Sequence, residues 1–326
     1  MRRSLGLAGA AVLAGLVTTA CSVGGPSPAG SAEVPLIGML RVIPDDDQPV
    51  FLTELRAQGW SNGRHVDVDP EEPDTVAADQ AAAREQLEAW LDDGVDLIVA
   101  SSTPYAVLAA EVAPSVPTLF LVNDPVAAGL VVDEQRPEGN LTGVTFQAPA
   151  DRTLHLAEEV IGDVERIGYL GPTGDPAVAG HLEGVRVAAS DLGLTLVEAE
   201  FGSPEQVPAA VAELVAAGVD LVYLPGANAT VPSLGALETE LMRARLPVVA
   251  NVEYIDFALL TLAPDGAEVR RQLARQAARI LAGAEVASVP VEDPRRFTTV
   301  VDRRVAARLG LPPIAPEVLR RMDVVR

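Results

Sequence analysis

The fold is decided by residues 94–130, which read GVDLIVASSTPYAVLAAEVAPSVPTLFLVNDPVAAGL. This stretch contains two apolar runs, Leu97–Ala100 and Thr118–Val122, and each is followed by short polar residues. Apolar runs of this length, bounded by turn residues, are typical of parallel strands that are covered on both faces. Pro104, which follows Ser and Thr, marks the start of a helix between the two strands. The stretch therefore predicts a strand, a helix and a second strand of one parallel sheet.

The carboxyl ends of these two strands are the first candidate binding region. In open α/β sheets ligands bind beyond the carboxyl ends of the strands, and those ends carry Ser101, Ser102, Thr103, Asn123 and Asp124. Backbone N–H groups and the positive end of the following helix can bind a carboxylate there without a basic side chain. Asp124 can pair with an ammonium group, so the region fits a zwitterionic amino acid or a similar solute. Plain helix capping and a turn before proline are the alternative interpretations.

The second half of the chain repeats the pattern of the first. AAGVDLVYLPGANATVPSL at 216–234 echoes DDGVDLIVASSTPYAVL at 92–108: a helix end, G-V-D-L, a strand, a polar turn and a helix. For 326 residues, two similarly wound halves are a better account than one oversized sheet. The predicted fold class is α/β, with two doubly wound, Rossmann-like lobes and a ligand cleft between them. Further candidate ligand-binding residues at predicted strand ends are Arg41, Phe146, Gly171, Thr173, Asn228, Asn251 and Glu253.

Three segments carry a resemblance to a known family. They are IVASSTPYAVLAA at 98–110, DPVAAGLV at 124–131 and GNLTGV at 139–144. They resemble the A-T-P-A-type helix start, the D-P-V-x-A-G-L-V segment and the G-N-x-T-G-V strand of ABC-transporter substrate-binding lipoproteins assigned to tryptophan or tyrosine uptake. The resemblance covers nearly everything after about residue 34. Within it, Thr103 and Asp124 match the family pattern, and Asn228 lies where many members have Asn.

The resemblance implies the type I periplasmic-binding fold. In that fold three segments connect the lobes, which here places the crossings near residues 147, 262 and 290, and the penultimate helix returns to the first lobe. The expected N-terminal lobe then comprises residues 34–146 and about 263–290. The expected C-terminal lobe comprises residues 147–262 and about 291–326.

One segment departs from the family pattern. Many members have a Tyr-Gly-containing segment after the last crossing, where this chain has Ala263-Pro264-Asp265. That segment usually lies near the cleft, so an aromatic stacking partner is expected to be missing. Phe146, Tyr105 and Tyr254 are candidates to replace it. Both an aromatic amino acid and a smaller solute therefore remain open as ligands.

The N-terminus has the character of an export signal. Within residues 1–20, two arginines precede an apolar run that is shorter than the ~20 residues needed to span a membrane. The sequence Thr18-Thr19-Ala20-Cys21 resembles a lipoprotein processing site, although the pattern prefers Leu in place of Thr18; ordinary secretion is the alternative. On the first interpretation Cys21, the one cysteine, is lipidated. Residues 21–33 contain it and a Gly/Pro/Ser-rich, flexible tether.

Composition and motifs exclude several classes of function. A formal net charge of −22 argues against a nucleic-acid partner, since phosphate binding needs clustered basic residues. His65, His155 and His181 fall on different predicted elements, and no nucleophile elbow, zinc motif, P-loop or dinucleotide fingerprint is present. The acidic runs at 45–47 and 71–72 are more typical of solvated loops than of metal sites. We predict no enzyme activity, no catalytic residue, no metal and no cofactor.

These patterns predict an extracytoplasmic, lipid-anchored solute-binding protein. It would deliver an amino acid or a similar small molecule, aromatic molecules included, to an ABC importer by closure of two lobes. The expected partners are the ligand, the ABC permease subunits and, through the lipid anchor alone, the cell membrane; a monomer is expected. One alternative is a ligand-sensing partner of a receptor or kinase. Another is an orphan lipoprotein that has lost its ligand.

Overall fold

The computed structural model describes residues 34–41, 48–61, 67–69 and 80–326, and within them two separate β-sheets. The first sheet is parallel throughout, with strand order β2-β1-β3-β4-β5. Its strands are β1 (Leu36–Arg41), β2 (Asp67–Asp69), β3 (Leu97–Ser101), β4 (Thr118–Val122) and β5 (Leu141–Thr145). The predicted signal peptide, the lipidated Cys21 and the tether lie outside the described residues.

The second sheet has seven strands in the order β12-β11-β10-β9-β8-β6-β7. The pairing of β10 with β11 is antiparallel, and the other neighbours are parallel. Its strands are β6 (Arg166–Pro172), β7 (Thr195–Phe201), β8 (Leu221–Leu224), β9 (Val248–Ala250), β10 (Leu260–Pro264), β11 (Phe297–Val301) and β12 (Val324–Val325).

Helices cover both faces of each sheet, so each half is doubly wound. The first sheet packs on α1 (Gln48–Ala57), α2 (Gln80–Asp92), α3 (Thr103–Val112) and α8 (Gly266–Leu281). These elements form the first lobe. The second sheet and the remaining helices form the second lobe: α4 (Ala150–Ile161), α5 (Pro176–Asp191), α6 (Val207–Ala217), α7 (Leu234–Ala244), α9 (Arg303–Leu309) and α10 (Pro316–Leu319).

The apolar runs of the sequence become the buried strands of the structure. Every residue of β4 is buried, as are the first four residues of β3. A close approach between β1 and α2 explains a glycine in this core: a Cβ atom on Gly38 would lie 2.4 Å from the ring of Trp90. Trp90 is 1% exposed, so the strand can accept this large ring against its backbone only at a residue without a side chain.

Helix α8 joins the first lobe although it follows β10 of the second sheet. Val269, Leu273 and Ala277 of α8 pack in one cluster with Phe51 and Leu55 of α1. All five side chains are completely buried. The apolar face of α8 therefore completes a core that begins more than two hundred residues earlier. The exact lobe boundaries inferred from the family resemblance stay a prediction.

Hydrogen bonds attach the segment after α8 to the first lobe. Gln276 Nε2 donates to the carbonyl oxygens of Gly143 (3.0 Å) and Pro290 (3.2 Å), and Gln272 Nε2 donates to that of Asp293 (2.9 Å). Thr142 Oγ1, on β5, donates to the Val289 carbonyl oxygen at 2.6 Å. Both glutamine side chains are buried, and hydrogen bonding allows polar groups to be placed there.

Some elements differ from their predictions. The apolar run Leu259–Leu262 predicts a strand of those residues, but the observed strand extends to Pro264, because Ala263 and Pro264 pair with Thr298 and Phe297 of β11. The sequence also predicts a helix from Ser233 to Arg243; the observed helix α7 begins at Leu234 and is preceded by a 3₁₀ helix, Asn228–Ser233. Strand β12 and helix α10 were not predicted.

Candidate functional site

A cavity of about 460 Å³ lies between the two lobes. The carboxyl ends of β3 and β4 and the start of α8 contribute to it from the first lobe, and the loops after β8 and β9 contribute from the second lobe. Its lining consists of Ser101, Ser102, Thr103, Pro104, Leu121, Val122, Asn123, Phe146, Asp175, Gly226, Ala227, Asn228, Val252, Glu253, Tyr254, Ala263, Pro264, Gly266 and Arg270. Volume and position are those of a small-molecule site.

The amino terminus of α3 faces this cavity. Ser102 is the N-cap residue, in extended conformation, and its Oγ atom accepts the N–H of Tyr105 at 3.3 Å. Ser101 Oγ is buried and has no hydrogen-bond partner in the described part of the chain. Backbone N–H groups and the helix dipole make such a terminus favourable for an anionic group. The predicted residues Ser101, Ser102 and Thr103 are thus brought together at the cavity wall.

Two further predicted residues, Asn123 and Phe146, line the cavity from the first lobe. Asn123, which follows β4, donates through Nδ2 to the carbonyl oxygen of Gly226 in the second lobe at 3.2 Å. Phe146 follows β5 and packs against core clusters of both lobes. Because Phe146 also lines the cavity, its ring is an apolar wall at the point where the chain crosses between the lobes.

The second lobe contributes the predicted residues Asn228 and Glu253 together with an aromatic side chain. Glu253 is exposed, and Asn228 begins the 3₁₀ helix after β8. Tyr254 Oη donates to the Ala227 carbonyl oxygen at 3.2 Å. Burial raises the pKa of the Tyr254 phenol above its ordinary value, so the group is neutral over the whole physiological pH range.

The charged side chains of the lining are Arg270, Asp175 and Glu253, of which only Glu253 was predicted. Arg270 lies in the first turns of α8, and its Nη1 atom is buried. Asp175 precedes α5 and is half-buried. The guanidinium and one of the two carboxylates complement the carboxylate and the ammonium group of an amino-acid zwitterion. The other carboxylate has no counterpart on such a ligand.

Four predicted residues with described side chains, Asp124, Gly171, Thr173 and Asn251, are not part of the lining. Arg41 pairs with Ser101 in the sheet, but its side chain lies outside the described part of the structure. Asn251 is buried, and its Oδ1 atom accepts the Gly226 N–H at 2.6 Å, so it shapes the loop next to the cavity. Thr173 is exposed in the turn after β6.

Asp124 lies in a turn beside the cavity. Its Oδ1 atom accepts the N–H of Ala127 at 2.8 Å, which is the turn geometry before proline that was the alternative interpretation. Its other carboxylate oxygen is directed at Gly180 of the second lobe. Asp124 therefore lies beside the cavity and not in its lining, and Asp175 is the half-buried aspartate that lines it.

Gly171 lines a second, smaller cavity of about 310 Å³ between α5 and strands β6 and β7. Asp175 is shared by the linings of both cavities. Tyr105, considered as a replacement for the missing aromatic residue, is completely buried in the first-lobe core and lines neither cavity. Of the three aromatic candidates, Phe146 and Tyr254 reach the main cavity.

A buried histidine lies in the second lobe behind these loops. His181 of α5 is 1% exposed, and its Nε2 atom is 3.1 Å from Tyr223 Oη. Its ring lies 5.0 Å from that of Tyr223 and 6.2 Å from that of Tyr169, centroid to centroid. Burial lowers the pKa of His181 to about 4, because the imidazolium would be poorly solvated there.

The described part of the chain contains neither a metal-binding cluster nor a helix that could span a membrane. Residues 34–41, 48–61, 67–69 and 80–326 contain no group of three or more His, Cys, Asp or Glu side chains arranged to hold a metal ion. Within the same ranges, none of the helices has the length and hydropathy of a membrane span.

Comparison with known proteins identifies similar chains. The family model described as "ABC transporter substrate binding protein" matches residues 50–323. A "Tyrosine-binding protein" of Clostridioides difficile (strain R20291) is 25% identical over 244 residues, which cover 74% of this chain and 70% of that protein.

Two solved structures show the same fold. One is an ABC domain in complex with L-Trp from Streptococcus pneumonia, with a TM-score of 0.78 and 21% identity over 90% of this chain and all of the other. The second is a ligand-free, open substrate-binding protein with adhesive properties from Clostridium difficile, with a TM-score of 0.72 and 23% identity. It is matched over 90% of this chain and 99% of its own. These likenesses confirm the predicted two-lobe α/β fold.

Proposed function

The chain belongs to the ABC transporter substrate-binding protein family, and we propose that its cleft binds an aromatic amino acid for delivery to an importer. The observation that carries the proposal is the lining of the cavity, which combines Arg270 with two carboxylates and apolar or aromatic walls from both lobes. The relatives described as tyrosine-binding and as a complex with L-Trp support the aromatic class.

The carboxylate of the ligand is proposed to lie between Arg270 and the amino terminus of α3. Arg270 supplies a permanent positive charge with several N–H donors, which suits bidentate binding of a carboxylate. Ser101 Oγ, buried at the same end of β3, is an additional donor. Together these groups would offset the free-energy cost of removing the ligand carboxylate from water.

The ammonium group of the ligand is proposed to face Asp175, with Glu253 as a second acceptor. Both side chains line the cavity from the second lobe, opposite the start of α3. Asp175 is half-buried, whereas Glu253 is exposed, so Asp175 gains the stronger electrostatic interaction from exclusion of water. This assignment replaces the earlier expectation for Asp124.

The side chain of the ligand is proposed to lie against Phe146, Tyr254 and Pro264. Pro264 occupies part of the segment where many members have Tyr-Gly, and it lines the cavity at the end of β10. Phe146 and Tyr254 supply ring faces from opposite lobes, which allows stacking or edge-to-face contact with an aromatic ligand. The two rings compensate for the aromatic residue missing at 263–265.

Because ligand contacts come from both lobes, binding favours the closed state by the difference in affinity between the closed and open forms. We further infer that the closed form is recognised by permease subunits, that the protein is extracytoplasmic and monomeric, and that Cys21 carries a lipid anchor. Replacement Cys21→Ser should then release the protein from the membrane fraction. Retention of the variant in that fraction would contradict the anchor.

The test of the ligand class is isothermal titration calorimetry with L-tryptophan, L-tyrosine, L-leucine and tryptamine. We expect the two aromatic amino acids to bind most tightly. Arg270→Met should weaken L-tryptophan binding by about 1.5–3 kcal/mol, the usual contribution of a hydrogen bond to a charged group. Tryptamine lacks the carboxylate, so its weaker binding should be nearly the same in both proteins.

Arg271→Met is the matched control, since Arg271 is the next residue of α8, is 41% exposed and forms an ion pair with Glu268 at 2.8 Å. It should leave ligand affinity unchanged. Equal losses in the two variants, or an equal loss for tryptamine, would remove Arg270 from the carboxylate site. Absence of binding by both aromatic amino acids would refute the proposed ligand class.

A further inference from the structure

We propose that Gly180 and Asp124 form the closure contact of the two lobes, and that this contact determines ligand affinity from outside the cavity. Asp124 follows β4 of the first lobe, and Gly180 lies in α5 of the second lobe. Neither residue lines the main cavity. The inference rests on the proposed function in one respect: one of the two measurements that test it is the affinity for an aromatic amino acid.

The two residues approach so closely that a side chain at position 180 would meet the Asp124 carboxylate. An ideal Cβ atom on Gly180 would lie 1.6 Å from Asp124 Oδ2, 2.6 Å from its Cγ and 3.1 Å from its Cβ. The first two distances are far inside van der Waals contact. The backbone of α5 is therefore in direct contact with the carboxylate of the other lobe.

Rotation of the Asp124 side chain would relieve the closest part of this contact only at the cost of a hydrogen bond. Its Oδ1 atom is held by the N–H of Ala127 at 2.8 Å, and rotation about χ1 would break that hydrogen bond. The Cβ atom of Asp124 is fixed by the backbone and is itself only 3.1 Å from the added methyl group. A side chain at position 180 would thus break that hydrogen bond and also move the two lobes slightly apart, and both changes oppose closure.

The preceding residue joins the same lobes at a second point. Asn123 Nδ2 donates to the Gly226 carbonyl oxygen at 3.2 Å, and Gly226 lies in the loop after β8. Consecutive residues of the first lobe thus contact α5 and the β8 loop of the second lobe. Asn123 and Gly226 line the cavity, which couples the closure contact to the binding site.

Gly180 is also unfavourable for the helix that contains it. Glycine within a helix is less stable than alanine because the unfolded chain loses more conformational freedom. Gly180 has no left-handed backbone conformation to explain its presence, since it is absent from the positive-φ glycines. Contact with the other lobe supplies the reason for a glycine at this place.

The experiment compares Gly180→Ala with Gly184→Ala. Gly184 lies one turn further along α5, and an added Cβ there would have no neighbour within 4 Å. Gly184→Ala should raise the Tm of the ligand-free protein by about 2 °C, because alanine is the better helix former. Gly180→Ala should raise it by less, because the clash with Asp124 offsets part of that gain. Gly180→Ala alone should weaken L-tryptophan binding, by about tenfold or more given the usual cost of an inserted methyl group.

A ligand-free measurement separates this inference from the proposed ligand. Spin labels at exposed Val107 of α3 and Val187 of α5 report the distance between the lobes. In Gly180→Ala the short-distance population should be reduced relative to wild type and Gly184→Ala. Adding Asp124→Ala should restore part of it, since the Cγ and Oδ2 atoms are then removed.

Identical distance distributions in wild type and Gly180→Ala would overturn the inference, whether or not wild type binds an aromatic amino acid. Failure of wild type to bind L-tryptophan or L-tyrosine, with a reduced short-distance population in Gly180→Ala, would refute the proposed ligand and support the closure contact. Equal affinity losses in Gly180→Ala and Gly184→Ala would overturn the closure contact, because the control has no partner across the cleft.

Discussion

Mild acidification is expected to destabilise this protein through His181. The imidazole is buried beside two tyrosine rings, and its Nε2 atom is hydrogen-bonded to Tyr223 Oη at 3.1 Å. Tyr169 and Tyr223 are neutral, because burial raises the pKa of both phenols above the ordinary value. Desolvation alone lowers the pKa of His181, to about 4, with no carboxylate offsetting it.

The sign and the size of the effect follow from this pKa. An unfolded chain has an ordinary imidazole pKa of about 6.5, so on acidification the unfolded state binds the proton first. The stabilising contribution of the neutral imidazole is complete above about pH 6.5 and is lost progressively as the pH falls to about 4. The full difference is equivalent to about 3 kcal/mol, of which about 2 kcal/mol is lost by about pH 5.

Urea denaturation followed by far-ultraviolet circular dichroism measures this loss. Wild type and His181→Gln are each unfolded at about pH 7 and about pH 5, and the change in free energy of unfolding between the two conditions is compared. Glutamine retains a hydrogen-bonding group for Tyr223 but does not titrate. Wild type should lose about 2 kcal/mol more than the variant, because carboxylates titrate in both proteins.

An equal loss of stability in wild type and His181→Gln would refute the reasoning. So would an imidazole resonance that titrates near an ordinary pKa in the folded protein, as measured by nuclear magnetic resonance. Either result would mean that the folded protein solvates the imidazolium at His181 and that the pocket around it is open to water.

Three further substitutions, at positions outside the cavity lining, test the contacts that stabilise the two lobes; the free energy of unfolding is measured by urea denaturation. Asp302→Ala should cost about 1–2 kcal/mol, because its side chain caps α9 by accepting the Arg304 N–H at 2.8 Å; a cost near zero would contradict the cap. Gln276→Leu should cost about 1–3 kcal/mol through loss of its buried hydrogen bonds, and an unchanged midpoint would refute their contribution. Gly143→Ala places a Cβ atom 2.1 Å from the Phe120 carbonyl oxygen and should cost about 3 kcal/mol or more; wild-type stability would refute the close approach of β4 and β5.

The elements that depend on local pattern were predictable from the sequence. Thr118–Val122 was predicted as a buried strand and is β4, and the helix predicted to start at Pro104 is α3, Thr103–Val112. The strand predicted at Leu259–Leu262 stops short of Ala263 and Pro264. They belong to β10 because β11, which follows more than thirty residues later, pairs with them. Local pattern contains no information about such a partner.

Some residues of the candidate site were likewise predictable from local sequence, and others were not. Ser101, Asn123 and Asn228 were predicted because the strand-end rule needs only the sheet, and they line the cavity. Arg270 and Asp175 were missed because their positions depend on how α8 and α5 pack. A signal for Arg270 was present: it shares a helix face with Leu273, Ala274 and Ala277, at spacings of three, four and seven residues, and these three are buried.

The crossing of α8 also has a consequence for synthesis of the chain. The first-lobe core needs Val269 and Leu273 of α8 beside Phe51 of α1, so a growing polypeptide cannot complete that core before α8 has been translated. Until then the apolar face of α1 lacks its partner, and such a chain is a substrate for holdase chaperones and proteases. Truncation before residue 266 should therefore leave insoluble or degraded fragments.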